Sequence, residues 1–219
     1  MGVPMKRVSI AGIIAIILFL ASCISTKTEW DYSGIPAEQK EMWWLFGENQ
    51  VRFWTNDPAN LDRWFWNAAP SIPEKTHVFE VKTKKWSGSR NTGFGMNFCH
   101  DQTSNSYYRM FITLTQWFRI EKYENLKMQS MFPGQDENGW VRCGEIKSQY
   151  NAENTLKVVR KILNGDTAKF DIYINNKLIT SFTDTNPIVH NNGMSLAVSV
   201  SKEENEKFPD VPVEVLFRY

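Results

Sequence analysis

From residue 77 onward, apolar and polar positions alternate in short runs broken by turn residues. Val78, Phe79 and Val81 mark a β-prone run over 77–82, and further strands are expected over 93–99, 106–113, 117–123 and 126–131. Residues 133–139 read as a loop, after which 140–147, 155–162, 168–174, 177–182, 194–201 and 212–219 resume strand character. Asn175-Asn176 predicts a tight hairpin, because asparagine tolerates the positive φ that a two-residue type I′ turn requires. Alternation assigns faces: Met110 and Ile112 oppose Tyr107 and Arg109, and Phe118 and Ile120 oppose Trp117, Arg119 and Glu121. Short strands, turn signals about every eight to twelve residues and almost no helical period predict an all-β sandwich.

The chain before residue 77 divides differently. Residues 41–76 are crowded with aromatics and read as an N-terminal extension of the domain, with strands over 51–55 and 63–66 joined through Asn56-Asp57-Pro58. Met42, Leu45 and Phe46 fall at helical spacing and predict a short helix over 38–46. Residues 23–40 are mostly polar, with Gly34 and Pro36 as breakers, and read as a tether. Ahead of them, Lys6 and Arg7 precede an apolar run of 13 residues from Val8 to Leu20. That run is the length of a signal-peptide h-region and short for a membrane span.

Leu20-Ala21-Ser22-Cys23 closes this run and resembles the lipobox of bacterial lipoproteins. The resemblance implies that residues 1–22 are a signal peptide and that Cys23 is lipidated and becomes the first mature residue. The protein would then be held on a membrane by its N-terminal acyl chains, each buried methylene adding roughly 0.8 kcal/mol. Met1-Gly2 is no myristoylation signal, since Lys6 stands where that motif wants Ser or Thr. Ile24 is not the aspartate that favours inner-membrane retention in enterobacterial lipoproteins, so the outer membrane is the favoured address.

Composition narrows the partners. Cleavage before Cys23 leaves 197 of 219 residues, enough for one domain with a real core, and takes the formal net charge from +1 to −1. With no basic stripe, nucleic acid is not an expected partner. A glycan or another envelope component is the expected partner; 14% of residues are aromatic and nine are tryptophan, some beyond what a core of this size needs. Cys99 and Cys143 are the thiols left beyond the lipidation site. Paired, they close a loop of 44 residues for a stabilisation of roughly 3–5 kcal/mol; unpaired, they are buried free thiols on separate strands, and both readings stand.

Residues 77–219 resemble concanavalin A-like jelly rolls, more narrowly laminin G-like domains and the domain described as a 3-keto-disaccharide hydrolase. The resemblance rests on Asn154-Thr155-Leu156-Lys157-Val158, the hairpin over 170–178, Phe182-Thr183-Asp184 and the strand over 193–198, with Tyr107-Tyr108-Arg109 in the middle. One departure is visible: the usual glycine pair is reduced to Gly193, after Asn191-Asn192. The resemblance implies the fold, and as one functional alternative an enzyme acting on a disaccharide.

Catalytic chemistry finds little support in the residues. Retaining glycosidases need two carboxyls about 5–5.5 Å apart, yet the i, i+2 acid pairs are Glu29/Asp31 in the tether and Glu204/Glu206 in a charged loop. Glu121 and Glu124 have the wrong spacing. No Gly-x-Ser-x-Gly elbow accompanies His77, His100 or His190. His100-Asp101 reads as a solvated loop pair. Asp101 and Asp184 resemble loop acids that hold calcium in some laminin G-like domains, but that ion wants six to eight oxygens, so no metal or other cofactor is expected. Binding is the better expectation, with Trp117, Tyr107 and Trp140 as platform rings on which a sugar stacks. Tyr107 shares its face with Asn105 and Arg109, Trp117 with Arg119 and Glu121, and Trp140 with Arg142.

Overall fold

The computed structural model describes residues 43–45, 50–55, 62–67, 75–101, 104–132, 134, 136, 138–164, 166–188, 192–199 and 213–218. The expected signal peptide, Cys23 and the whole tether lie outside them, as do Asn56-Asp57-Pro58, His190 and the charged loop over 201–207.

Among the described residues, fourteen strands form two antiparallel sheets. The first sheet contains β1 (Trp43–Leu45), β2 (Gln50–Thr55), β4 (Thr76–Ser87), β10 (Asn154–Asn164), β11 (Thr167–Ile174), β12 (Lys177–Asp184) and β14 (Val213–Arg218), in the order β1-β2-β14-β4-β10-β11-β12. The second contains β3 (Asp62–Asn67), β5 (Gly93–Asp101), β6 (Ser106–Ile112), β7 (Trp117–Glu124), β8 (Lys127–Ser130) and β13 (Gly193–Ser199), ordered β3-β13-β5-β6-β7-β8, with the short β9 (Val141–Arg142) pairing β7. Among the described residues there is no helix. The all-β sandwich predicted from alternation is the observed architecture.

Alternation explains why the layers stack. On β10, Leu156 and Val158 are fully buried, while Thr155, Lys157 and Val159 between them keep some exposure. From the second sheet Met96, Met110, Ile120 and Leu196 meet them. One end of the core is aromatic: Phe170 stacks on its cross-strand partner Phe182 at 4.7 Å between centroids, and Tyr108 lies 4.8 Å from Phe170. Each fully buried phenylalanine contributes about 1.5–3 kcal/mol relative to exposure. The hairpin at Asn175-Asn176 has the predicted geometry, with φ of 52° and 68°.

Several expectations are corrected. Trp43–Leu45 forms a strand paired with β2, not part of a helix, because each residue finds a ladder partner from Phe53 to Val51. β2 and β3 enter different sheets. The strand expected over 140–147 shrinks to Val141–Arg142, since the chain turns after it: Cys143 N–H donates to Gln116 O and Ile146 N–H to Cys143 O. Cys99 and Cys143 are both buried and free, so of the two cysteine readings the unpaired one is adopted, although only Cys99 lies on a strand. Burial pushes the Cys99 thiol up to about 11, against the pull of the neighbouring Arg160 guanidinium 3.6 Å from its sulfur.

Candidate functional site

The face of the second sheet turned away from the core carries an alternation of rings and cations. Because β6 sends Tyr108, Met110 and Ile112 inward, Tyr107, Arg109 and Phe111 point the other way. Register places Asn97, Arg109 and Glu121 side by side on β5, β6 and β7, and Arg109 Nε donates to Asn97 Oδ1 at 2.9 Å. The Arg109 guanidinium lies 4.9 Å from the Phe111 ring centroid and 5.3 Å from that of Tyr107, which stacks on Tyr123 at 5.0 Å. The pattern continues along β7. Arg119 lies 4.7 Å over Trp140, and Arg142 lies 4.4 Å over Trp117. Such contacts are each worth about 0.5–2 kcal/mol and hold rings at a fixed pitch to the sheet.

At one end of this face is a surface hollow of about 200 Å³, lined by Asn91, Thr113, Thr115, Trp117, Asp136 and Trp140. Its walls are set by local bonds. Asp136 Oδ1 accepts from the backbone N–H groups of Asn138 and Trp140, both at 2.9 Å, an Asx-type turn that presents the Trp140 indole. Gly139 sits inside that turn at φ +79°, a conformation glycine adopts at no steric cost. Gly93 completes the seat: a Cβ there would lie 3.1 Å from Phe111 Cδ2 and 3.4 Å from Trp140 Cη2. Opposite the rings, Thr115 Oγ1 bonds Asn91 Oδ1 and Thr113 Oγ1, each at 2.9 Å. The Trp117 N–H donates to Thr113 Oγ1 at 3.3 Å.

The structure thus brings Trp117 and Trp140 together in one hollow. Tyr107 and Arg109 share the face but not the hollow, since Tyr107 stands ten residues before Trp117 and pairs with Tyr123 at the far end of the β6–β7 ladder. Trp117 is six residues from Tyr123 along β7, about 20 Å at ~3.4 Å per residue. Arg109 is only 4% exposed, so its donors serve Asn97 and Tyr107. Asn105 occupies the β5–β6 turn at φ +49°. Trp117 and Trp140 share this face with Arg119 and Arg142, and the stacking crosses between strands: Arg142 covers Trp117, and Arg119 covers Trp140. One expectation fails here. His100 is not solvated but sits in β5 at 2% exposure, 5.4 Å from the Tyr107 ring. Burial lowers its pKa against the opposing pull of Asn105 and Asp101.

Sequence reading missed Asn91, Thr113, Thr115 and Asp136. For Asp136 a signal existed: Asp-x-Asn-Gly-Trp is a turn signature that fixes the indole following it. The two acids compared with calcium ligands have protein partners instead. Asp101 accepts from Ser104 Oγ at 2.7 Å, and Asp184 takes the Tyr108 hydroxyl at 2.6 Å and Lys122 Nζ at 3.1 Å. Among the described residues, no three His, Cys, Asp or Glu side chains converge as a metal site.

No family model matches the chain, and no curated protein matches it. Solved structures do. A carbohydrate-binding module from Bacillus subtilis aligns at 16% identity with a TM-score of 0.51, covering 80% of this chain and 87% of that one. A marine alginate lyase from Aplysia kurodai aligns at 10% identity with a TM-score of 0.51, covering 82% of this chain and 86% of that one. With its two antiparallel layers and these neighbours, the chain has the concanavalin A-like jelly-roll fold.

Proposed function

We propose that this protein is a lipid-anchored component of a bacterial cell envelope, held by acyl chains on Cys23, that binds a glycan without processing it. The observation that carries the glycan reading is the hollow between Trp117 and Trp140. Two indoles pinned by arginines face a wall of hydroxyl, amide and carboxylate oxygens. Apolar ring faces with a few convergent polar groups suit a sugar, whose C–H face stacks while its hydroxyls hydrogen-bond. The neighbours' names, a carbohydrate-binding module and an alginate lyase, agree with glycan chemistry of either kind. The anchor rests on the lipobox-like Leu20-Ala21-Ser22-Cys23 and on the 13-residue apolar run before it.

The hollow is smaller than the ~300–1,000 Å³ of pockets that engulf a drug-sized ligand. It therefore takes about one ring of a longer chain, and its single-site affinity is weak. Many copies anchored on one surface gain avidity from their shared tether without any new contact. The test is a glycan panel incubated with the purified full chain in detergent. Saturable binding with no new reducing ends or unsaturated products supports the reading. Product formation would replace it with the enzyme reading, and binding to no glycan would leave an envelope protein as the partner.

A further inference from the structure

We propose that the Trp117–Trp140 hollow selects neutral, hydroxyl-rich sugar rings and rejects uronates. This rests on the glycan reading above and adds the ligand's charge class.

The argument is the inventory of the lining. Among the described residues that form the hollow there is one carboxylate, Asp136, and no cation. Asp136 is held in place, because its Oδ1 takes both backbone N–H bonds of the turn. Oδ2 is left as an acceptor in the lining. On the opposite wall, Thr115 donates to Asn91 Oδ1, which leaves the Asn91 Nδ2 amide as a donor. A ring that enters therefore meets an acceptor that wants a hydroxyl proton and a donor that wants a hydroxyl or ring oxygen. A neutral hexose supplies both.

A uronate does not fit the same wall. Its carboxylate brings a second negative charge to within a few ångströms of Asp136, and like charges at such range repel even in a wet site. Two arginines stand near, but neither is part of the lining and both are committed elsewhere. The Arg142 guanidinium lies over Trp117 and its Nη1 donates to Thr115 O at 2.9 Å. Arg119 lies over Trp140, with Nε 3.1 Å from Glu121 Oε1 and Nη1 donating to Asn138 O at 3.3 Å. Both guanidiniums lie over the indoles and neither lines the hollow, so the charge that a ring inside it meets first is that of Asp136.

The test uses the full chain in detergent micelles and two matched sets of probes: neutral β-glucan hexasaccharides and mannuronate or guluronate hexasaccharides. Intrinsic tryptophan fluorescence reports binding at low and at high salt. The expected result is tighter binding of a neutral hexamer by roughly five-fold or more at low salt, the difference that one like-charge contact makes in a water-like medium. Neutral binding should hardly change with salt, while added salt should weaken the exclusion of the uronates. Asp136→Asn is the decisive variant, since asparagine keeps an oxygen acceptor for the Asn138 and Trp140 N–H groups and removes only the charge. It should narrow the neutral-to-uronate ratio. Equal or tighter uronate binding by the parent chain, or a ratio that Asp136→Asn does not move, overturns the charge selectivity and leaves glycan binding standing. Binding of neither set overturns both.

Discussion

The Tyr108 hydroxyl donates a 2.6 Å hydrogen bond to Asp184 Oδ2, tying the middle of the second sheet to an edge strand of the first. The same carboxylate oxygen receives Lys122 Nζ at 3.1 Å, and Ile188 N–H donates to the Tyr108 oxygen at 3.2 Å. Tyr108 is fully buried and Asp184 nearly so, with 11% of its side chain exposed. Tyr108→Phe therefore keeps the ring packing and strips one donor from a buried carboxylate. It should lower stability by about 1–3 kcal/mol, read as a reduced urea midpoint with unchanged slope.

The same cluster sets a pH dependence. Burial alone would raise the Asp184 pKa, but hydrogen bonds from Tyr108, the Asn186 N–H and Lys122 outweigh it and hold the carboxyl below its usual range. Asp171 is also lowered, chiefly by the Ser181 hydroxyl and then, against partial burial, by Lys169 and Lys161. Groups with a depressed folded pKa contribute fully above the unfolded value of about 3.9 and lose that contribution as pH falls through the folded one. Stability should therefore begin to decline below about pH 6.5, where buried His100 resists the proton its unfolded form takes, and fall further below about pH 5 as the carboxylates are protonated. Asp184→Asn should flatten the acid limb in pH-dependent unfolding. An acid limb unchanged in that variant would place the titration elsewhere.

Thiol counting separates the remaining readings of the cysteines. Cys99 and Cys143 are buried and free, and burial raises both thiol pKa values. Neither should react with Ellman's reagent in the native state, because the thiolate is the nucleophile. Unfolding without reductant should release both. Cys23 adds a third reactive thiol unless it is acylated, so two thiols per chain support lipidation and three contradict it.

Gly95 on β5 lies tight against the backbone of β6. A Cβ added there would fall 2.0 Å from Met110 O, a backbone atom that cannot swing aside. Gly95→Ala should cost about 1–3 kcal/mol as the two strands shift, measurable as a lowered thermal midpoint.

How far the sequence could be read depends on the range of the forces involved. Strands from β4 to β14, β9 apart, were legible because burial is local: Leu156 and Val158 alternate with polar neighbours whichever strand lies alongside. The partnering of Arg142 with Trp117 was not, since alternation assigns faces within one strand and the register between strands decides who stacks on whom. His100 was misplaced for a related reason. Cys99 takes a left-handed φ of 54° and shifts the β5–β6 register after Phe98, which puts His100 on the face of Tyr107 and under cover. Nothing in the residue types announces a bulge at a cysteine. The platform tryptophans themselves were found from polar company on their own strand, whereas Thr113, Thr115 and Asn91 come together only through the turns that bracket β5 and β6.

The most direct test is calorimetric titration of a panel glycan that the parent chain binds into the parent, the Trp117→Ala variant and the Trp140→Ala variant. Each truncation removes a stacking ring worth about 0.5–1.5 kcal/mol beyond its lost area, so each should weaken binding by roughly ten-fold while far-UV circular dichroism is unchanged. Undiminished affinity in both variants would contradict a glycan site at this hollow.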